Sequence, residues 1–357
     1  MHPLLKNIGH RFFPFLVRPY RRIRYKLSGL KYLSRELDEV GELRRKRFGD
    51  GSEISRFYNQ FYHDGCRNQR LAEGIVCMAD GRMLHGGLTD RMRGILTTYR
   101  YAKRHSLPFY IHWTCPFRLE DYLVPSGPVD WQIEADRISC SRQDSFPVVI
   151  METEAPQTHL VNWLKLKAAT HRPLPQTHVY SNADNARGGY RKLYEELFAP
   201  SPRLRQEVDR HLEAIGGKYW AFTFRCLNLL GDFVEHDNTT FDPEGQEALL
   251  ERIWSEFQRI AADVPAGYRI LVTSDSRKLL DYMEEKDERI YIVPGDVKNI
   301  DLSKGEFKDA WLKTFTDQQL IMLAEKVYLM RTGRMYRSGF PRFAAEIGGR
   351  PFVYHQF

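Results

Sequence analysis

GIVCMADGRMLHGGLTDRMRGILTTYRYAKRHSLPFYIHW, residues 74–113, carries the reading of the fold. GIVCMA (74–79) is a short continuous apolar run, the pattern of a buried strand. A Gly-rich stretch follows, HGGLTDRMRG (85–94), and then Met92, Ile95, Leu96, Tyr99 and Ala102 recur at helical spacing. FYIHW (109–113) is a second strand, so the order is strand, loop, helix, strand. That is a βαβ unit, and it calls for parallel strands.

The second half of the chain repeats the alternation. YWAFTF (219–224), YRILVTS (268–274), RIYIVP (289–294) and KVYLM (326–330) read as strands. Between and after them, 243–264, 276–285, 309–325 and 338–349 read as helices, the first with Leu249, Ile253, Phe257 and Ile260 on one face. In the stretch 114–200, VVI (148–150) and HVYS (178–181) are further strands. LFAPSP (197–202) and IGG (215–217) bracket a helix that links the halves. The expected architecture is α/β, two Rossmann-like domains facing across a cleft. The expected divisions are a basic arm and charged helix over 1–65, an N-terminal domain over 66–215 and a C-terminal domain over 216–357.

The net charge of +7 is confined to that arm. Residues 1–31 hold eight Lys/Arg and no acid, leaving 45 of the 53 basic residues against 46 acidic ones in the body. A body this near neutrality lacks the footprint of a nucleic-acid binder. Within the arm, Phe12, Phe13, Phe15, Leu16 and Val17 lie among the arginines, a pattern suited to an anionic membrane surface. A solvated tail, or a helix packed on the body, fits the same residues. FFPFLV is too short to span a bilayer and no small-residue cleavage site follows it. The five cysteines form no C-x-x-C pair, so neither a zinc site nor a disulfide framework is expected, and a reducing cytoplasm is.

In open parallel sheets, ligands bind beyond the carboxyl ends of the strands. Three such places stand out. Arg225 ends an apolar strand, where a charge needs an anion or a carboxylate; it either holds a phosphate or pairs with Asp232. Ser274, Asp275 and Ser276 open a helix, as ligands of a ribose or base or as a plain cap, with Ser274 or Asp275 satisfying the first helical N–H groups. Ser338 and Gly339 begin another helix after Arg331, Arg334 and Arg337, where an anion suits the helix end. In the first half, His85, Gly86 and Gly87 make a tight strand-to-helix turn that lines the cleft from the acceptor side, and Asp90, Arg91 and Arg93 are candidates for acceptor or domain-closure contacts. There is no Asp-x-Asp, GxxxxGK[ST], G-x-S-x-G, His-Glu-x-x-His or G-x-G-x-x-G, so the P-loop, hydrolase-elbow and dinucleotide readings have no support.

Taken in order, these stretches resemble the fucosyltransferase superfamily of nodulation and core α-1,6-fucosyltransferases and protein O-fucosyltransferases. The likeness covers roughly 70–357. It rests on HGGLTDRMRGILTTYRYAKRHSLPFYIHW, LFAPSPRLRQEVDRHL, FTFRCLNLLGDF, ILVTSDSRKLL and SGFPRFAAEIGG. The resemblance implies a GT-B fold and inverting, metal-independent transfer from GDP-fucose to a glycan or lipid-linked glycan, as in capsule or surface polysaccharide assembly. It implies no cofactor. Arg225 then contacts the donor diphosphate, and Thr223, Ser274, Asp275, Ser276, Arg337, Ser338, Gly339 and Phe340 line the donor site. Apart from the resemblance, Asp90 is a candidate general base because its loop faces the cleft; a helix cap fits it as well, and other carboxylates of the N-terminal half stay open for the base. The family's His-x-Arg-Arg-x-Asp motif is altered: its histidine falls on Thr223, its second arginine on Cys226 and its aspartate on Asn228. The expected location is cytoplasmic, with the arm on the inner face of the membrane. Two other readings stay open, a different nucleotide sugar on the same fold, or a non-catalytic glycan- or nucleic-acid-binding protein.

Overall fold

The computed structural model describes residues 33–45, 52–65, 68–151, 159–184, 188–233, 240–301 and 308–357. The arm over 1–31, with its proposed membrane contact, lies outside the described residues.

Two all-parallel sheets form. In the first, β1 (Gly74–Ala79), β2 (Phe109–Trp113), β4 (Ser145–Ile150) and β5 (Gln176–Ser181) take the order β2-β1-β5-β4. In the second, β7 (Tyr219–Phe224), β8 (Arg269–Ser274), β9 (Ile290–Tyr291), β10 (Lys326–Arg331) and β11 (Phe352–Gln356) take the order β11-β10-β7-β8-β9. A short antiparallel pair, β3 (Leu123–Pro125) with β6 (Phe198–Pro200), lies outside both.

The expected elements of the first βαβ unit are present: strands 74–79 and 109–113 flank the helix Leu88–Arg104. Gly94 is fixed by packing rather than by backbone conformation. A Cβ there would overlap the Ser181 carbonyl, so the helix lies directly on the end of β5. The linking helix runs Pro202–Ile215, started by Ser201 accepting from Leu204 N and stopped by Gly216 at φ 72°.

Side chains of β7 alternate between two cores. Tyr219 and Ala221 join a core shared with the first half, while Phe222 and Phe224 face the helices Pro243–Ala261 and Arg277–Glu284. The helix Lys308–Leu323 bridges the halves: Trp311 and Phe315 stack among Phe117 and Tyr122, with ring centroids 4.7–5.6 Å apart. Phe343 of the helix Phe340–Gly348 meets Tyr190 edge-on at 5.6 Å.

Two expectations need correction. Only Ile290 and Tyr291 of the run 289–294 pair with β8, because the chain then leaves the sheet and Val293 enters the shared core. The closing stretch FVYHQ, read as no element from sequence, is the edge strand β11.

Candidate functional site

Register places Thr223 beside Thr273 and Phe224 beside Ser274 on neighbouring parallel strands. The residues that follow therefore leave the sheet side by side. Arg225 Nε lies 3.3 Å from Asp275 Oδ2, not against Asp232 as one reading of the sequence had it. The Asp275 carboxylate also accepts the N–H groups of Cys226 and Leu227, each at 2.7 Å. Leu227 is held at φ 56°, a left-handed conformation that costs a β-carbon residue about 1–2 kcal/mol, and the carboxylate offsets it. Burial raises the Asp275 carboxyl above its ordinary value, opposed by Arg225 and these N–H groups. With the carboxylate fixed from below, the Arg225 guanidinium lies 4.6 Å over the Phe233 ring and keeps 24% of its side chain exposed.

Asp232 has a different duty. Its Oδ2 accepts from Ser276 Oγ and from Lys278 N, both at 2.8 Å, at the start of the helix Arg277–Glu284. The cap of that helix is Ser276, accepting from Leu279 N, rather than Ser274 or Asp275. Ser274 Oγ takes the Ser276 N–H at 3.1 Å, and Thr223 and Thr273 share a hydroxyl hydrogen bond at 2.9 Å. Of the donor-site residues expected from sequence, Thr223, Ser274, Asp275 and Ser276 thus form one buried polar layer beneath Arg225.

The third place is stitched to the first. Arg225 O accepts from Tyr336 N at 2.9 Å, and Ser338 Oγ accepts from Phe340 N at 3.2 Å. Arg337 turns away, its guanidinium 4.5 Å over the Tyr354 ring. Gly339 stands at the N-cap of the helix Phe340–Gly348 with no side-chain cap.

From the first half, the Gly-rich loop and its helix come to meet this turn. Arg91 is buried: Nε donates to Gly86 O, Nη1 to Cys115 O and Nη2 to Asp301 Oδ1, at 3.1, 2.7 and 2.5 Å. Gly86 N donates to Asp301 Oδ2 at 2.5 Å, and Gly86 itself sits at φ 80°. Arg91 is thus a tie between the halves, and nothing in the sequence singles out its partner Asp301. His85 is buried; Nδ1 donates to Met83 O at 3.0 Å while Nε2 has no hydrogen-bond partner. Burial, reinforced by nearby Arg91, pushes its pKa down to about 4, so it is neutral. Gly87 is the N-cap of the helix Leu88–Arg104, so Asp90 is no cap but a first-turn residue, 47% exposed.

Arg93, one turn on, joins the two sides. It lies 4.0 Å from Asp90 Oδ1 and 3.7 Å from Asp184 Oδ2, and its guanidinium abuts Gly339. The exposed carboxylate of Asp90 and the Ser338–Phe340 turn, expected to serve acceptor and donor, are therefore separated by little more than one guanidinium. Such a site offers fixed cations for an anionic leaving group and a carboxylate for a proton. Among the described residues no cluster of three or more His, Cys, Asp or Glu could hold a metal ion, and no helix is long and apolar enough to cross a membrane.

No known family model and no curated protein sequence matches the chain. Solved structures do. The fucosyltransferase NodZ from Bradyrhizobium matches at 14% identity and TM-score 0.50, over 76% of this chain and 91% of that one. NodZ α-1,6-fucosyltransferase co-crystallised with GDP gives the same figures. FUT1 of Arabidopsis thaliana, solved with GDP, matches at 12% identity and TM-score 0.50, over 89% of this chain and 77% of that one. The fold is GT-B, as the resemblance in sequence implies.

Proposed function

We propose that the chain is an inverting glycosyltransferase that moves fucose from GDP-fucose to a glycan acceptor without a metal. Residues 216–357 hold the donor and 66–215 the acceptor. The acceptor hydroxyl attacks C1 of the sugar, the C1–O bond to the diphosphate breaks, and Asp90 takes the hydroxyl proton. Arg225 stabilises the departing GDP, and Thr223, Ser274, Ser276, Ser338, Gly339 and Phe340 line its site.

The observation that carries this reading is Arg225, oriented by buried Asp275 at the carboxyl end of β7 and stitched through Tyr336 to the Ser338 turn. A fixed cation of this kind serves a transition state in which negative charge gathers on the leaving group. The fold match to enzymes solved with GDP supports the choice of nucleotide. The basic, aromatic arm suits a lipid-linked acceptor at the inner membrane surface in the cytoplasm.

The test is incubation with labelled GDP-fucose and a glycan acceptor panel, with and without EDTA. Label transferred equally in both conditions supports the reading. Thermal stabilisation by UDP or CMP but not GDP would assign the same fold to another nucleotide sugar.

A further inference from the structure

The helix Phe340–Gly348 offers less to an anion than its sequence suggests. Ser338 Oγ already takes the Phe340 N–H, and Pro341 has none. The charge at this turn comes instead from the other half of the molecule. A Cβ on Gly339 would lie 3.1 and 3.3 Å from Nη1 and Nη2 of Arg93. Gly339 has an ordinary helical φ of −78°, so its backbone does not require glycine. A side chain there would press on that guanidinium, which would have to give by a few tenths of an ångström.

Arg93 is also incompletely satisfied. Its side chain is 16% exposed, and its Nε is buried without a hydrogen bond. The carboxylates beside it stand at 3.7 and 4.0 Å, beyond hydrogen-bonding distance. Asp184 already accepts the Tyr190 hydroxyl at 2.5 Å, and Asp90 is half in water. The Phe343 ring, 5.8 Å away, screens the guanidinium from solvent on one side. A guanidinium this desolvated and this loosely paired suits a two-oxygen anion brought to the Gly339 turn.

We infer that Arg93, from the N-terminal half, is a ligand of the donor's diphosphate in the C-terminal half. The donor site is then completed by a residue from each half, Arg93 from the first and Arg225 from the second. This rests on the nucleotide-sugar reading above but is separable from it.

The test compares the intact wild-type chain with Arg93→Ala, Arg93→Gln and Arg93→Lys, measuring calorimetric affinities for GDP, guanosine and inorganic pyrophosphate. Thermal unfolding checks each variant's fold. Arg93→Ala should weaken GDP about 10- to 100-fold, the range for a charge-assisted hydrogen bond, and leave guanosine unchanged. Arg93→Lys should fall between. If Arg93→Ala does not fold, Arg93→Gln and Arg93→Lys carry the comparison, with the charged variant the tighter binder. Unchanged GDP affinity, or equal losses for GDP and guanosine, overturns the inference, the second outcome making Arg93 a strut between the halves. Pyrophosphate binding that requires Arg93, in a chain that binds no nucleotide, keeps Arg93 as a diphosphate ligand but overturns its assignment to a nucleotide donor, and sinks the nucleotide-sugar reading. A wild-type chain that binds none of the three sinks both.

Discussion

Asp301 reaches from the second half of the chain into the Gly-rich loop of the first, its two oxygens 2.5 Å from Arg91 Nη2 and 2.5 Å from Gly86 N. Both side chains are largely buried, and the Arg91 guanidinium also lies 5.1 Å over the Trp113 ring. One carboxylate thus fixes the loop's backbone and its arginine together. The loop cannot shift without opening the contact between the halves.

Asp301→Ala should therefore destabilise the protein by about 3–5 kcal/mol, the cost of leaving one member of a buried ion pair without its partner. Urea denaturation measures it. A change below about 0.5 kcal/mol would show that the pair is solvated and unimportant.

Gly94→Ala tests the packing beneath that loop. The added methyl would overlap the Ser181 carbonyl, and a backbone atom cannot swing aside as a long side chain can. The helix Leu88–Arg104 must lift from β5, at a cost of about 3 kcal/mol or more. Unchanged thermal unfolding would mean that the helix tolerates the shift.

Sequence periodicity locates β1, β2, β7, β8 and β10 because buried parallel strands read as unbroken apolar runs. It says nothing of FVYHQ, an edge strand whose register comes from its neighbour β10 rather than from its own pattern. Arg225 and Asp275 stand out in the sequence because a polar residue at the end of an apolar strand is conspicuous, and Ser338 because it precedes a helix and follows three arginines. The partners were not. Asp275 lies 50 residues from Arg225, and Asp301 lies 210 from Arg91, so only the sheet order and the crossing of the loop after β9 bring them together. Asp232, closer to Arg225 in the chain, went to a helix cap instead. Spacing alone carries no means of choosing between two carboxylates.

Acid should destabilise the fold through its buried histidines. Burial pushes His178 down to about 3 and His85 to about 4, against about 6.5 in an unfolded chain. Their stabilising contribution is complete above about pH 6.5. It is lost below that, at about 1.4 kcal/mol per pH unit for each, as the unfolded state takes up protons that the folded state refuses. His178 is held by Tyr62 OH at 2.7 Å and Gln176 at 3.0 Å. The stability gap between wild type and His178→Gln should narrow by about 1 kcal/mol per unit between pH 6.5 and 5. A gap independent of pH would mean that His178 is protonated in the fold.

Arg225 is the residue on which the proposed chemistry depends most. Arg225→Ala should lower turnover about 100- to 1,000-fold, the range for removing one stabiliser of charge developing in a transition state. Arg225→Lys keeps the charge but not the fork that meets two oxygens at once, so it should recover only part of the loss. Asp275→Asn separates position from charge. It leaves Arg225 in place but weakens the hold on Cys226 N, Leu227 N and the guanidinium. Its expected effect is a smaller fall in kcat with little change in donor KM, because the arginine still meets the ground-state diphosphate but is less fixed when charge develops. Measured kcat and KM for the three variants decide the matter: near-wild-type turnover in Arg225→Ala removes the residue from the reaction. A fall in Asp275→Asn as deep as that of Arg225→Ala would show that the carboxylate, not the arginine, organises the site.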